Sequence, residues 1–197
     1  MAGDVGANKL QARTRRILWP LGKRLYTVHT VGFERLPAEG PAILCPNHIS
    51  FIDSLFLGFS LPRNVSFVGK AEYLDSWKTK YVFPALGMIP IDRSGGKASL
   101  VALTAAEAVL RRGELFAIYP EGTRSRDGRL YRGRTGAARL ALSTGAPIFP
   151  VGIVGTDTVQ PVGARFPKPR TECSITIGRP ISPERYRNRG NTSVAAR

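Results

Sequence analysis

The sequence predicts an α/β domain: a mainly parallel or mixed sheet flanked by helices, with an amphipathic helix leading into it. Between about residues 42 and 177, short apolar runs of strand length alternate with segments of helical periodicity. That alternation marks strand–helix units whose sheet is covered by helices. No internal repeat or low-complexity tract interrupts it, which excludes solenoids and arrays. A chain of 197 residues suits one domain with a substantial core.

The elements follow in order. From Leu10 to Tyr26, Leu10, Thr14, Ile17, Leu18, Leu21 and Leu25 share one face at helical spacing. Arg15, Arg16 and Lys23 fall roughly opposite, and Arg13 and Arg24 flank the apolar face. Pro20 is expected to kink or break this helix, because its ring displaces the hydrogen bond to Arg16. Ala42–Cys45 reads as a strand and Ile52–Leu61 as an apolar helix. Val65–Val68 is a strand, Ala71–Phe83 a helix and Met88–Ile91 a short strand. Lys97–Arg112 is a helix with Leu100, Leu103, Ala106 and Leu110 on one side. Leu115–Tyr119 is a strand of buried type, ended by Pro120, and a polar, arginine-rich loop follows. Thr135–Thr144 is a helix with Ala137, Leu140 and Ala141 inward. Pro147–Val154 and Cys173–Ile177 complete the strands.

Charge is the unusual feature of the composition. Lys and Arg total 29 against 14 Asp and Glu, a formal net charge of +15, which favours anionic partners: nucleic acid, an acidic bilayer surface or phosphorylated substrates. Two cysteines, Cys45 and Cys173, are too few for a disulfide framework. The first residues lack the apolar core of a secretory signal, and no apolar run reaches the roughly 18 residues of a spanning helix. The expectation is an intracellular protein without a transmembrane anchor.

Three segments carry polar residues suited to chemistry. The first, Asn47-His48-Ile49-Ser50-Phe51-Ile52-Asp53, directly follows the Ala42–Cys45 strand. A neutral imidazole is a suitable base at neutral pH, and a carboxylate on its other nitrogen fixes the tautomer. On one continuous helix His48 and Asp53 would lie about 140° apart. They meet only if His48 sits in the loop and Asp53 in the first turn of the next helix. Ser50-x-x-Asp53 is also a capping-box pattern, which makes Asp53 a helix-start residue in its own right.

The second segment, Gly87–Arg93, is a short strand ending in Arg93. The third is Tyr119-Pro120-Glu121-Gly122-Thr123-Arg124-Ser125. Arginine suits bidentate phosphate recognition, and Gly with Thr lets backbone and hydroxyl donors approach an anion. Glu121 can equally pair with one of the arginines. All three segments follow the carboxyl ends of predicted strands, the edge of an open α/β sheet where ligands bind. His29, the other histidine, has no acidic neighbour at useful spacing and reads as structural.

In these segments the chain resembles the glycerolipid acyltransferases of the 1-acylglycerol-3-phosphate acyltransferase type. NHISFID, GMIPIDR, PEGTRS and APIFPV match that family's four motifs in order and at comparable spacing, over about Val31 to Arg179. The resemblance implies His48 as the base and Asp53 as its partner. It places Arg93, Glu121, Gly122, Thr123 and Arg124 around the acceptor phosphate, and has Pro150 shape the pocket. It needs no metal and no cofactor, only acyl-CoA or an acyl-acyl carrier protein as co-substrate. The family often has paired lysines before the helix that here starts near Gly136, where this chain has Arg134 and Thr135.

The organisation that follows is an amphipathic membrane-interface segment at 1–27, an acyltransferase domain at 28–182 and a polar, basic tail at 183–197. The implied activity is acylation of 1-acylglycerol 3-phosphate on the way to phosphatidic acid, at the cytoplasmic face of a membrane and peripheral to it. The implied partners are the acyl thioester, the phosphorylated glycerolipid, an anionic membrane surface and an acyl carrier protein. Glycerol 3-phosphate or another lysolipid is the alternative acceptor. A nucleic-acid-binding module is disfavoured because no aromatic-rich strand signature accompanies the arginines, and an intact His48/Asp53 pair argues against a non-catalytic lipid binder. There is no Gly-x-Ser-x-Gly elbow or Walker-type loop, and Cys45-x-x-His48 is too little for zinc.

Overall fold

The computed structural model describes residues 9–75, 80, 82–92, 98–161, 163–164 and 166–187. The strands are β1 (Tyr26–Val31), β2 (Ala42–Pro46), β3 (Val65–Lys70), β4 (Met88–Ile91), β5 (Leu115–Ala117), β6 (Ile148–Val154) and β7 (Thr171–Ile177). They form one sheet in the order β1-β7-β6-β2-β5-β3-β4. From β6 to β4 every pairing is parallel. β7 runs antiparallel to β6, and β1 runs parallel to β7. The sheet is therefore mixed.

Successive strand side chains point to opposite faces, and β2 feeds two cores accordingly. Ala42 and Leu44 join Phe56, Leu57 and Leu61 on one face; Ile43 joins Ala106, Val109, Leu110, Leu140 and Ala141 on the other. The first face is covered by α2 (Asp53–Ser60) and by α1 (Lys9–Leu25), whose Trp19 packs on Phe56 and Phe59. The second is covered by α4 (Ala98–Arg111) and α5 (Gly136–Thr144). As expected from the sequence, α5 buries Ala137, Leu140 and Ala141.

Several expectations need correction. Helix α1 runs on through Pro20 to Leu25 instead of breaking there. Tyr26–Val31 is a strand, so a boundary at 27/28 falls inside β1 and α1 passes directly into the sheet. Around Ala71–Phe83 the described residues show a 3-10 turn at Ala71–Leu74 and a short helix α3 at Val82–Ala85. In α4, Leu100 is exposed and Val109 is buried in its place. At about 100° per residue, Leu100 falls far from Ala106 around the helix, while Val109 and Leu110 flank it.

Helix α1 has a packed side and an exposed apolar side. Gln11, Arg15 and Trp19 face the domain. Gln11 is buried and its Nε2 donates to Val65 O (2.9 Å) and Leu86 O (2.7 Å); Arg15 donates to Pro62 O (3.2 Å). Gly87 makes room for this docking: at φ +89°, a Cβ there would lie 2.2 Å from Val65 O and 2.8 Å from Gln11 Nε2. Arg15, read from the periodicity as opposite the apolar face, thus belongs to the packed side. The apolar face itself, Leu10, Ile17, Leu18, Leu21 and Leu25, points to solvent, with Ile17 71% exposed.

Candidate active site

Strands β2, β3, β4, β5 and β6 all end on one edge of the sheet. The turn after β2 begins with Asn47, whose side chain brackets one residue of β6. Its Nδ2 donates to Ile153 O (2.8 Å) and its Oδ1 accepts from Ile153 N (2.6 Å). The chain leaves β2 in a fixed direction as a result. His48 follows in the loop, and Asp53 opens α2. His48 Nδ1 lies 2.8 Å from Asp53 Oδ2, so the structure brings the two together in the loop-and-first-turn arrangement that their spacing requires.

Asp53 is fully buried, and donors converge on its carboxylate. Oδ2 accepts Ile49 N–H (2.8 Å) and Ser50 N–H (2.9 Å) besides His48, and Oδ1 accepts the Thr156 hydroxyl (2.5 Å). The bond to Ser50 N–H is half of a capping box. The other half is missing, because Ser50 Oγ donates to Gln160 O instead. Asp53 is therefore a helix-start residue and the imidazole's partner at once. With Nδ1–H donated to Asp53, the Nε2 lone pair of His48 is left to accept a proton from outside the pair. Thr156 opens the short helix α6 (Thr156–Val159), just beyond the end of β6.

Tyr119 supports the imidazole from beneath. The two rings stack at a centroid distance of 4.0 Å and an interplanar angle of 24°. The phenol is hydrogen-bonded to Ser54 Oγ (2.6 Å), one residue beyond Asp53. Burial, reinforced by the Asp53 charge, holds its pKa far above the ordinary tyrosine value, so it remains neutral. The third motif then turns back towards the first: Ser125 N donates to His48 O (2.7 Å).

His48, Gly122, Thr123 and Arg124 all line a cavity of about 760 Å³. Phe67, Val68, Met88, Ala102, Leu103 and Phe116 contribute apolar walls, and Lys70, Arg134 and Arg139 add cations to Arg124. Among the described residues no acidic group pairs with these four. Glu121, expected beside the phosphate, turns away from the cavity. It is buried and accepts Tyr131 N–H (3.0 Å), holding the arginine-rich loop. Arg93 lies outside the described residues. Pro150 does not line the cavity; it is exposed on β6, where its carbonyl accepts Gly178 N–H (2.8 Å).

Cys45 lies just before the loop, with burial pushing its thiol up to about 12. That is the opposite of what an activated nucleophile needs. Among the described residues no cluster of three or more His, Cys, Asp or Glu is placed to hold a metal ion. His29 is exposed on β1 with its Nε2 3.7 Å from Glu172 Oε2, a neighbour that the β1–β7 pairing supplies and the sequence order hides.

Thr156, Lys70 and Arg139 escape a reading of the sequence alone. Asn47 and Tyr119 open the first and third segments but have no role assigned by sequence, and Arg134 stands near the place of the family's paired lysines.

The geometry has clear relatives. The family model described as Acyltransferase matches residues 27–154. A chloroplastic 1-acyl-sn-glycerol-3-phosphate acyltransferase of Arabidopsis thaliana is 29% identical over 157 residues, covering 79% of this chain and 44% of its own length. The 1-acyl-sn-glycerol-3-phosphate acyltransferase of Borreliella burgdorferi is 29% identical over 140 residues, with 71% and 55% covered. The chain thus spans about half the length of these relatives. The crystal structure of the 1-acyl-sn-glycerophosphate acyltransferase PlsC from Thermotoga maritima superposes with a TM-score of 0.66 at 25% identity, covering 96% of this chain and 73% of that one. With a family match over well over half its length and a His–Asp pair at the cavity wall, the chain belongs to the Acyltransferase family.

Proposed function

We propose that this protein transfers a fatty acyl group from acyl-CoA or an acyl-acyl carrier protein to the free hydroxyl of 1-acylglycerol 3-phosphate, yielding phosphatidic acid. The observation that carries the reading is the His48–Asp53 pair on the wall of a cavity with apolar walls and four cations that no acidic group among the described residues pairs. The apolar part suits an acyl chain, and the cations suit the acceptor phosphate. His48 Nε2 takes the hydroxyl proton as the oxygen attacks the thioester carbonyl; the C–S bond then breaks and the leaving thiolate recovers that proton. Asp53 holds the imidazole and stabilises its charged form. Arg124, with Arg93 from the second motif, holds the phosphate, while Gly122 and Thr123 let it approach. Glu121 contributes indirectly, by fixing the loop. Orienting the two reactants contributes on the order of 7–11 kcal/mol at best, so the cations matter as much as the base. No metal or cofactor enters this chemistry.

The protein works as a peripheral protein at the cytoplasmic face of an anionic membrane. No helix among the described residues is long and apolar enough to cross one. Support for docking comes from α1. Its apolar face is exposed, and Arg13 and Arg24 flank it, an arrangement suited to the headgroup boundary. Helix α1 thereby serves as the membrane-interface element, although it also packs on the domain through Gln11 and Trp19.

The test is direct. Purified protein is given 1-acylglycerol 3-phosphate, glycerol 3-phosphate and a dephosphorylated lysolipid, each with labelled acyl donors, and products are read by mass spectrometry. Phosphatidic acid is the expected product, with turnover reduced ~10²–10⁴-fold in His48→Ala. Unchanged turnover in that variant would sink the mechanism, and preference for another acceptor would sink the substrate assignment.

A further inference from the structure

We propose that the loop between β5 and α5 is a second membrane contact, separate from α1, which inserts Leu130 among anionic lipid headgroups. From Arg124 to Arg134 the chain places five arginines in eleven residues: Arg124, Arg126, Arg129, Arg132 and Arg134. The two acids nearby are committed to the loop's own architecture. Glu121 takes Tyr131 N–H. Asp127 takes the Ser125 hydroxyl (3.0 Å), Arg129 N–H (3.1 Å) and the Tyr131 hydroxyl (2.8 Å), and among the described residues its only ion pair is a long one to Arg129 (3.9 Å). Both ends of the loop are tied, by Ser125 N to His48 O and by Arg134 N to Pro120 O (2.8 Å).

This scaffold holds Leu130 outward, 78% exposed, with Tyr131 beside it at 58%. A single exposed leucine is ordinary. A leucine held out inside a collar of arginines is complementary to one kind of surface: acidic outside and apolar a few ångströms beneath. Tyrosine, apolar in body and polar at its tip, fits the boundary between the two.

Position selects a bilayer over an acidic protein. Arg124 and Arg134, at the two ends of the loop, both line the cavity, so whatever the loop rests on lies at the cavity's mouth. Helix α1 finishes at the same sheet edge, because β1 starts there: Tyr26 is level with Thr171, beyond the Val154 end of β6, and Arg170 N donates to Leu25 O. The proposal rests on the acceptor being a bilayer lipid, as proposed above. Its test therefore reads insertion and not turnover.

The full chain carrying Leu130→Trp is mixed with vesicles of phosphatidylcholine and phosphatidylglycerol, or of phosphatidylcholine alone, with and without brominated lipid. Expected is a blue-shifted emission over that of the parent chain, quenched by bromine, with the anionic vesicles. Leu130→Ser should lower partitioning roughly tenfold, while turnover of a short-chain, water-soluble acceptor stays at the parent level. Combined Arg126→Glu, Arg129→Glu and Arg132→Glu should lower partitioning by on the order of a hundredfold. A chain that floats with vesicles while its Leu130→Trp variant shows neither shift nor quenching overturns the proposal and leaves α1 docking intact. Binding that is lost in Leu18→Ser/Leu21→Ser but unchanged by the arginine reversals also overturns it. If the reversals spare vesicle binding and abolish capture of an acyl carrier protein, the loop's partner is an acidic protein. Insertion that persists while 1-acylglycerol 3-phosphate fails as acceptor supports the loop contact and overturns only the substrate reading.

Discussion

Thr156 donates its hydroxyl to Asp53 Oδ1 across 103 positions of sequence, and so ties the turn after β6 to the carboxylate that orients His48. Thr156→Val keeps the shape and removes the donor, leaving a buried carboxylate oxygen unpaired. The expected cost is about 1–3 kcal/mol of stability and roughly a tenfold loss in kcat with little change in KM. Thr156→Ser should restore both. The pH profile of kcat separates positioning from simple support: its acidic limb should move in Thr156→Val and return in Thr156→Ser. A lowered Tm with an unmoved profile would make Thr156 only a structural strut.

Asp53→Asn tests the carboxylate itself. The amide can still accept from Ser50 or Thr156, but it cannot stabilise an imidazolium. Turnover should fall by orders of magnitude while thermal melting changes far less. Loss of Tm without loss of per-molecule turnover would assign Asp53 to capping alone.

The cavity's cations should discriminate by phosphate. Arg124→Lys and Arg93→Lys replace a planar fork by a point charge. Each should lower kcat/KM for the phosphorylated acceptor more than for its dephosphorylated counterpart. Arg134→Ala belongs in the same comparison, since its side chain shares the cavity with Arg124. Equal losses on both acceptors would make these residues supports and not phosphate ligands.

Helix α1 should separate binding from folding by face. Leu18→Ser with Leu21→Ser changes only the exposed side, and should weaken flotation with anionic vesicles while Tm holds. Gln11→Ala with Trp19→Ala changes the packed side, leaves Val65 O and Leu86 O without their donor, and should lower Tm. Binding of the parent chain should decline as salt rises but not vanish, because the apolar contribution is unscreened.

Cys45 gives a pH prediction with a defined sign. Its folded-state pKa, about 12, stands above the ordinary thiol value of 9.0. An acid whose pKa is raised by folding contributes stability that is intact below the unfolded value and lost as pH climbs towards the folded one. The alkaline decline of Tm beginning near the ordinary thiol value should therefore be shallower in Cys45→Ala. Turnover at neutral pH should be unchanged in that variant, and a large loss would reopen a covalent role.

What the sequence discloses here depends on range. His48 and Asp53 lie five residues apart between an apolar strand and an apolar helix, so one turn decides whether they meet. The strands ending at Pro46, Ile91 and Ala117 announce themselves as short apolar runs, and parallel pairing then places their loops on one edge. Thr156 and Asn47 matter only because β6 lies beside β2, and strand order is not written in either segment. Tyr26–Val31 escapes because its alternation follows an amphipathic helix without a break, on an edge strand that is mostly exposed. Helix α1 shows a different failure. Periodicity finds the apolar face correctly, but the face that packs on the domain is the one with Gln11, Arg15 and Trp19.

That packing turns Gln11 into something more than a buried amide. Its one side chain clamps the start of β3 and the residue two before β4, at the end of the sheet opposite the chemistry, while the far end of α1 joins β1 at the reactive end. A helix fastened at both ends behaves as a diagonal strut. If it lies flat in a bilayer surface, it dictates the tilt of the whole sheet against the membrane normal. Proximity alone would leave the cavity's mouth pointing anywhere; a strut gives it a bearing.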